Sequence, residues 1–120
     1  MTSIKSYKEL LVWQKAMALV TLIYNLTKTF PEDEKFGLTS QMRKCSVSIP
    51  SNIAEGWGRL SRKNYIQFLR ISRGSLYELE TQILITKQLN YINDSEKVES
   101  LIIEISKMLN SLIRKLEEKE

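Results

Sequence analysis

The sequence contains no histidine and a single cysteine, Cys45. Without histidine there is no Ser-His-Asp or Cys-His nucleophile, no imidazole base and almost no route to a zinc site. One cysteine cannot close an internal disulfide, which points to a reducing compartment. Glycine (four residues) and proline (two) are scarce, too few for a fold built from many hairpins. Long apolar runs are also missing. The longest, Ala16-Met17-Ala18-Leu19-Val20, is far shorter than the ~20 residues of a membrane span, and the amino terminus lacks the apolar stretch of a signal peptide. These absences predict a soluble cytoplasmic protein that is not an enzyme and uses no metal, cofactor or membrane.

What is present is enough for one core. Leu, Ile, Val and Phe supply 36 of the 120 residues, well above the roughly 20% below which chains tend to stay disordered. The length predicts a single domain over residues 1–120. The net charge of +4 is unevenly spread. Residues 39–75 carry seven Lys/Arg against one acid, Glu55, whereas residues 76–120 carry six basic and nine acidic side chains. A basic middle and an acidic end suit either an anionic partner or complementary surfaces in an assembly.

Apolar spacing divides the chain into four helical segments. The first, Lys8–Thr29, carries two stripes: Val12, Ala16, Leu19, Ile23, Leu26 and Phe30, and about 100° away Leu10, Trp13, Met17, Val20 and Tyr24. That arc is wider than one bundle seam needs. The second, Thr39–Trp57, has Leu38, Met42, Cys45, Ile49 and Ile53 on its core face and contains Pro50. Pro50 removes one backbone donor, so a kinked but continuous helix is expected. The third, Arg62–Leu89, is capped by Ser61 and keeps Tyr65, Leu69, Ser72, Leu76, Leu79 and Ile83 at heptad spacing. Gly74 lies inside it and costs about 1 kcal/mol relative to Ala, which predicts a point of close helix approach. The fourth, Glu96–Glu118, is capped by Asp94 or Ser95 and has an apolar stripe from Val98 to Leu116. Four such helices joined by short turns give an all-α, antiparallel up-down-up-down four-helix bundle.

Four stretches are distinctive: Leu11–Met17 (LVWQKAM), Phe36–Arg43 (FGLTSQMR), Ser48–Arg59 (SIPSNIAEGWGR) and Arg73–Gln82 (RGSLYELETQ). In this order they resemble the bacterial four-helix-bundle family of 23S ribosomal RNA intervening-sequence proteins, over about residues 7–116. The resemblance implies a bundle that assembles as a ring-shaped homopentamer. Founding members of the family are encoded within insertions in 23S ribosomal RNA genes. Related bundles accompany reverse transcriptases and are thought to bind nucleic acid. No catalytic activity is established for the family, and a shared fold does not by itself assign a function.

Three sets of residues are candidates for function. Arg43, Lys44, Arg59, Arg62 and Lys63 form a basic set suited to RNA or DNA phosphates, with the alternative that they are simply solvated helix faces. Trp57, Tyr65 and Phe68 interleave with them, although Tyr65 and Phe68 also suit the core. Asn52, Glu55, Arg70 and Arg73 suit a structural polar network between the second and third helices, with Glu55 paired to Arg73 or Arg70; a recognition site is the other reading. Trp13 and Met17, on the second stripe of the first helix, suit a subunit interface, unless a wide core absorbs them. Two functions stay open. One is a nucleic-acid-binding accessory protein. The other is a protein-interaction scaffold, for example a reverse-transcriptase-associated subunit, that does not touch nucleic acid.

Overall fold

The helical rhythm of the sequence is realised as α1 (Leu11–Thr27), α2 (Leu38–Trp57), α3 (Arg62–Gln88) and α4 (Glu96–Glu118). They are seen in a computed structural model that describes residues 4–119. Single 3-10 turns at Tyr7–Glu9 and Glu32–Glu34 precede α1 and α2. There is no strand among the described residues, so the chain is all-α as expected.

Local chemistry accounts for the helix ends. α1 begins three residues later than its spacing predicts, because Leu10 is extended (φ −72°, ψ 123°) after the first 3-10 turn. The N–H of Leu38 opens α2 by donating to the Glu34 carboxylate at 3.1 Å, which places negative charge at the helix's positive end. Ser61 caps α3 by accepting the Asn64 N–H at 3.3 Å. At α4 the cap is shared. Asp94 accepts the Glu96 N–H at 3.0 Å, while the Ser95 hydroxyl turns to the Glu99 carboxylate. α2 runs on through Pro50, which can donate nothing to the Ser46 carbonyl one turn earlier.

Each helix runs closest to two others, in the cycle α1–α2–α3–α4–α1, and the backbones of the diagonal pairs stay further apart. All four contacts are antiparallel. Tyr7 reaches Trp57 while Thr27 meets Arg43. Ile49 faces Ser72 and Gly56 faces Phe68. Arg62 bonds Lys119 while Lys87 bonds Glu99. Lys15 pairs with Glu104. The result is an up-down-up-down bundle of 48 × 24 × 21 Å.

The core is made of the predicted stripes. Leu19, Ile23, Met42, Ile49, Ile53, Leu69, Leu76, Leu79, Ile83, Ile102, Ile105 and Leu109 are fully buried, each contributing about 1.5–3 kcal/mol over an exposed position. On α4 the stripe ends on Ile113, with Leu112 only partly buried. A straight helix drifts by about 20° per heptad, about 40° over the two heptads from Val98, so Leu112 and Ile113 flank the stripe and packing against the neighbouring helices decides between them. Ile66, which shares its spacing on α3 with the polar residues Lys63, Arg70, Arg73, Tyr77 and Glu80, is buried nonetheless.

The tightest contact joins α2 to α3, and it corrects the expectation for Gly74. A Cβ at Gly56 would lie 2.7 Å from Phe68 Cβ and 3.1 Å from a Tyr65 ring carbon, whereas one at Gly74 would meet nothing within 4 Å. Gly74 is two residues from the buried Ser72, about 200° around the helix, and therefore faces outward. Two and three turns before Gly56 the seam is held by small polar side chains. Ser72 donates to the Ile49 carbonyl at 2.9 Å, and the Cys45 thiol donates to the Ser75 carbonyl at 3.0 Å.

That register also overturns the expected pairing of Glu55 with Arg73 or Arg70. With Ile49 opposite Ser72 and Gly56 opposite Phe68, Glu55 sits beyond the level of both arginines. It pairs instead with Arg59 on its own helix, at 2.9 Å. Arg70 pairs with Glu117, Arg73 donates to Asn110 Oδ1 at 2.9 Å, and Asn52 donates to the Ser48 carbonyl at 2.7 Å. Asn52, Glu55, Arg70 and Arg73 thus belong to four separate contacts rather than to one network.

Two outcomes follow from the seam. Gly56→Ala should lower the denaturation midpoint, because overpacking of about 1–3 kcal/mol outweighs the gain in helix propensity. Gly74→Ala should raise stability by about 0.5–1 kcal/mol. Urea titrations of the two variants read both signs directly. The Cys45 thiol is pushed up to about 12 by burial and by the nearby Glu78 carboxylate. Its thiolate fraction at pH 8 is then about 1,000-fold below that of a free thiol, so a disulfide reagent should label Cys45 only after unfolding. Because the raised value favours the neutral native thiol, this contribution to stability is complete below pH 9 and is lost as the pH rises towards 12.

Candidate functional site

The bundle separates charge along its axis. The half that contains the α2–α3 turn (residues 4–18, 48–74 and 106–119) carries twelve Lys/Arg and four Asp/Glu. The other half (residues 19–47 and 75–105) carries six Lys/Arg and nine Asp/Glu. The antiparallel path causes this. It returns the carboxyl-terminal turns of α4, with Arg114, Lys115 and Lys119, to the end that already holds Arg59, Arg62 and Lys63.

The five basic residues singled out from the sequence are therefore not one patch. Arg43 and Lys44 open α2 at the acidic end, about 22 Å of helix from Arg59. Arg43 is also engaged internally. Its Nε donates to Thr27 Oγ1 at 2.8 Å, one terminal nitrogen donates to the Tyr24 carbonyl at 3.3 Å, and the guanidinium lies 4.7 Å above the Tyr24 ring. It closes the carboxyl-terminal end of α1, where cations are favoured. Arg62 does the same for α4, donating to the Lys119 carbonyl at 3.0 Å. Arg59 pairs with Glu55 and stacks 4.8 Å over Phe68. Lys63 is exposed and has no ion-pair partner among the described residues.

The concentrated cations lie in the groove between α3 and α4. Lys63, Gln67, Arg70 and Glu117 line its outer part, and Arg70, Arg73, Asn110 and Arg114 line the adjoining stretch. Glu117 is the one acid in this lining, and Arg70 holds it. Tyr77 follows one turn after Arg73, half exposed at 45%, with its hydroxyl 3.5 Å from Ser106 Oγ. Hydrogen bonding to Ser106, then to Asn110, lowers the Tyr77 phenol below its usual value. Sequence reasoning misses Arg114 because residues 76–120 are acidic in sum. The signal lay in the position of the charges along α4: Glu96, Glu99 and Glu104 fall in its first half, and Lys107, Arg114 and Lys115 in its second, beside Glu117 and Glu118.

The interleaved aromatics do not face this groove as a stacking surface. Trp57 lies edge-on to Tyr7 at 6.4 Å, Phe68 is covered by Arg59, and Tyr65 packs beside Gly56. The opposite side of the bundle, between α1 and α2, carries an apolar groove lined by Tyr7, Trp13, Met17, Val20, Val47 and Pro50. Trp13 is half-buried with its ring 5.4 Å from Tyr7, and Met17 is 44% exposed. The second stripe of α1 is thus only partly absorbed: Leu10 and Trp13 pack against the core, while Met17 and Tyr24 stay exposed.

Burial raises the Tyr65 phenol, and the remaining shifted groups sit at helix ends. The Tyr91 hydroxyl donates to Glu34 at 2.7 Å, which lowers the Glu34 carboxyl and raises the Tyr91 phenol, and Phe30 packs on the Tyr91 ring at 5.6 Å. This buckle ties the α1–α2 turn to the α3–α4 turn. Glu99 is lowered by the Ser95 hydroxyl and then by Lys87. These contacts account for the shifts as capping and turn chemistry. No helix among the described residues is long and apolar enough to cross a membrane.

The architecture has a counterpart of known structure. A crystal structure at 1.70 Å of a protein with unknown function, from the S23 ribosomal protein family of Bacteroides thetaiotaomicron, superposes with a TM-score of 0.78 at 26% identity. The match covers 86% of this chain and 95% of that one. Among proteins with curated descriptions none matches. The family model of the 23S rRNA-intervening sequence protein matches residues 8–111. With nearly its whole length so matched and its fold shared with an S23-family structure, the chain belongs to the 23S rRNA-intervening sequence protein family.

Proposed function

We propose that this protein is a non-catalytic, nucleic-acid-binding accessory protein that acts in the cytoplasm as a homo-oligomer, with a pentameric ring as the expected form. The observation that carries the reading is the charge of one end of the bundle, twelve cations against four acids. Such a field attracts a polyanion through counterion release, without a need for sequence readout. The contacting set is Arg59, Arg62 and Lys63 together with the α3–α4 groove; Arg43 and Lys44 are left out because they lie at the acidic end. The apolar α1–α2 groove, with Trp13 and Met17, supports self-association. A ring would repeat the basic end in every subunit, so long polymers should bind more tightly than short ones.

The scaffold reading has its own support. Arg43, Arg59, Arg62 and Arg70 all make contacts within the chain, so part of the basic surplus serves the fold.

Two measurements separate the readings. Binding of a fluorescent mixed-sequence RNA should fall steeply between about 50 and 200 mM salt. Lys63→Glu/Arg114→Glu should weaken it and flatten the salt slope by about 1.4–1.8, whereas Lys35→Glu at the acidic end should leave it unchanged. No binding at ~50 mM salt, or an unaffected double variant, makes the scaffold reading the better one. Light scattering at micromolar concentration should give about 70 kDa, five copies of the 14.0 kDa chain. Trp13→Ala should shift that mass towards the monomer, and a monomeric wild type would exclude self-association.

A further inference from the structure

We infer that the α3–α4 groove is a site for single-stranded nucleic acid, with Lys63, Arg73 and Arg114 holding backbone phosphates and the Tyr77 ring stacking on an unpaired base. This rests on the nucleic-acid reading above and adds to it a location and a class of ligand.

The groove is a track. Lys63, Arg70 and Tyr77 recur at seven-residue intervals on α3, about 10.5 Å apart, so they line one side of it over about 21 Å. Arg114 and Asn110 face them from α4, where Arg73 bonds Asn110 at 2.9 Å. Glu117 is neutralised by Arg70. Glu80, one turn beyond Tyr77, marks the end of the basic stretch. Cations along a groove recognise any phosphate chain, duplex or single. Tyr77 breaks that tie. It is the exposed aromatic at the end of the track, 45% accessible. Its hydroxyl, 3.5 Å from Ser106 Oγ, holds the ring across the seam between the helices. In a duplex every base face is already stacked on its neighbours, so such a ring gains nothing from it. An unpaired base offers a free face, and stacking on an aromatic tolerates any sequence. The side-chain amides of Gln67 and Asn110 add donors and acceptors that paired bases would not need.

The test is fluorescence anisotropy at ~50 mM salt with a labelled unstructured 20-nucleotide RNA and the same strand annealed to its complement. The single strand should bind at least about tenfold more tightly than the duplex. Tyr77→Ala should weaken single-strand binding by roughly 5- to 100-fold, the range expected for loss of one base–aromatic stack, without changing the duplex affinity. Tyr77→Phe, which keeps the ring and removes the hydroxyl, should retain most of the single-strand affinity. Arg73→Glu/Arg114→Glu should weaken both probes. Circular dichroism melts confirm that each variant is folded. Equal or tighter duplex binding, or single-strand binding indifferent to Tyr77→Ala, overturns this inference while leaving the nucleic-acid reading standing. Failure of both probes to bind overturns both.

Discussion

Where α2 lies against α3, the backbones come too close for a methyl group at residue 56, and the rest of the bundle is arranged around that contact. Gly56 sits over Phe68 and Tyr65, and the Ser72 hydroxyl and Cys45 thiol close the seam by donating to carbonyls of the facing helix. Small side chains permit close approach, but they provide little apolar area. The hydrogen bonds add what apolar packing alone lacks, a preference for one register, because each donor reaches its carbonyl in only one alignment. α1 packs beside α2, and α4 beside α3, with the diagonal backbones further apart.

That register decides where charge collects. It carries Glu55 past Arg70 and Arg73, and so releases both arginines towards α4. There they meet Asn110, Arg114 and Glu117 rather than a carboxylate on α2. The helix ends consume some of the remaining cations. Arg43 and Arg62 each sit at the carboxyl-terminal end of a neighbouring helix, where exposed carbonyls carry partial negative charge. The basic side chains thus take different roles: Arg43 and Arg62 close helix ends, Arg59 and Arg70 pair with Glu55 and Glu117, and Lys63 and Arg114 have no ion-pair partner among the described residues.

The bundle presents two unlike sides. Between α1 and α2 the surface is apolar, and between α3 and α4 its upper half is cationic. Because α1–α2 and α3–α4 are opposite edges of the square, an assembly that used the first would leave the second exposed. Self-association and polyanion binding are then compatible in one small domain, with no surface asked to serve both. The cleft of about 810 Å³ between α1 and α4, floored by Ala18, Leu22 and Leu101, is the loosest seam, and it lies across the bundle from the Gly56 contact.

Periodicity made the fold legible. A helix buries residues at a fixed rotation, so the apolar stripes of α1, α2 and α4, the Ser61 cap and the persistence of α2 through Pro50 could all be read from one dimension, as could the second stripe with Trp13 and Met17. The motifs that resemble the intervening-sequence family pointed to the same bundle. What the sequence could not supply was which residues on different helices stand at the same height. The burial of Ile113 and Ile66, the choice of Gly56 over Gly74 as the close approach, and the partners of Glu55, Arg70 and Arg73 all depend on how the helices pack on one another. So does the basic groove, because Arg114 belongs to an acidic segment in the chain and to a cationic surface in the fold. Spacing along a helix is set by its own backbone hydrogen bonds, whereas alignment between helices is set by side-chain packing, and only the tertiary structure contains it.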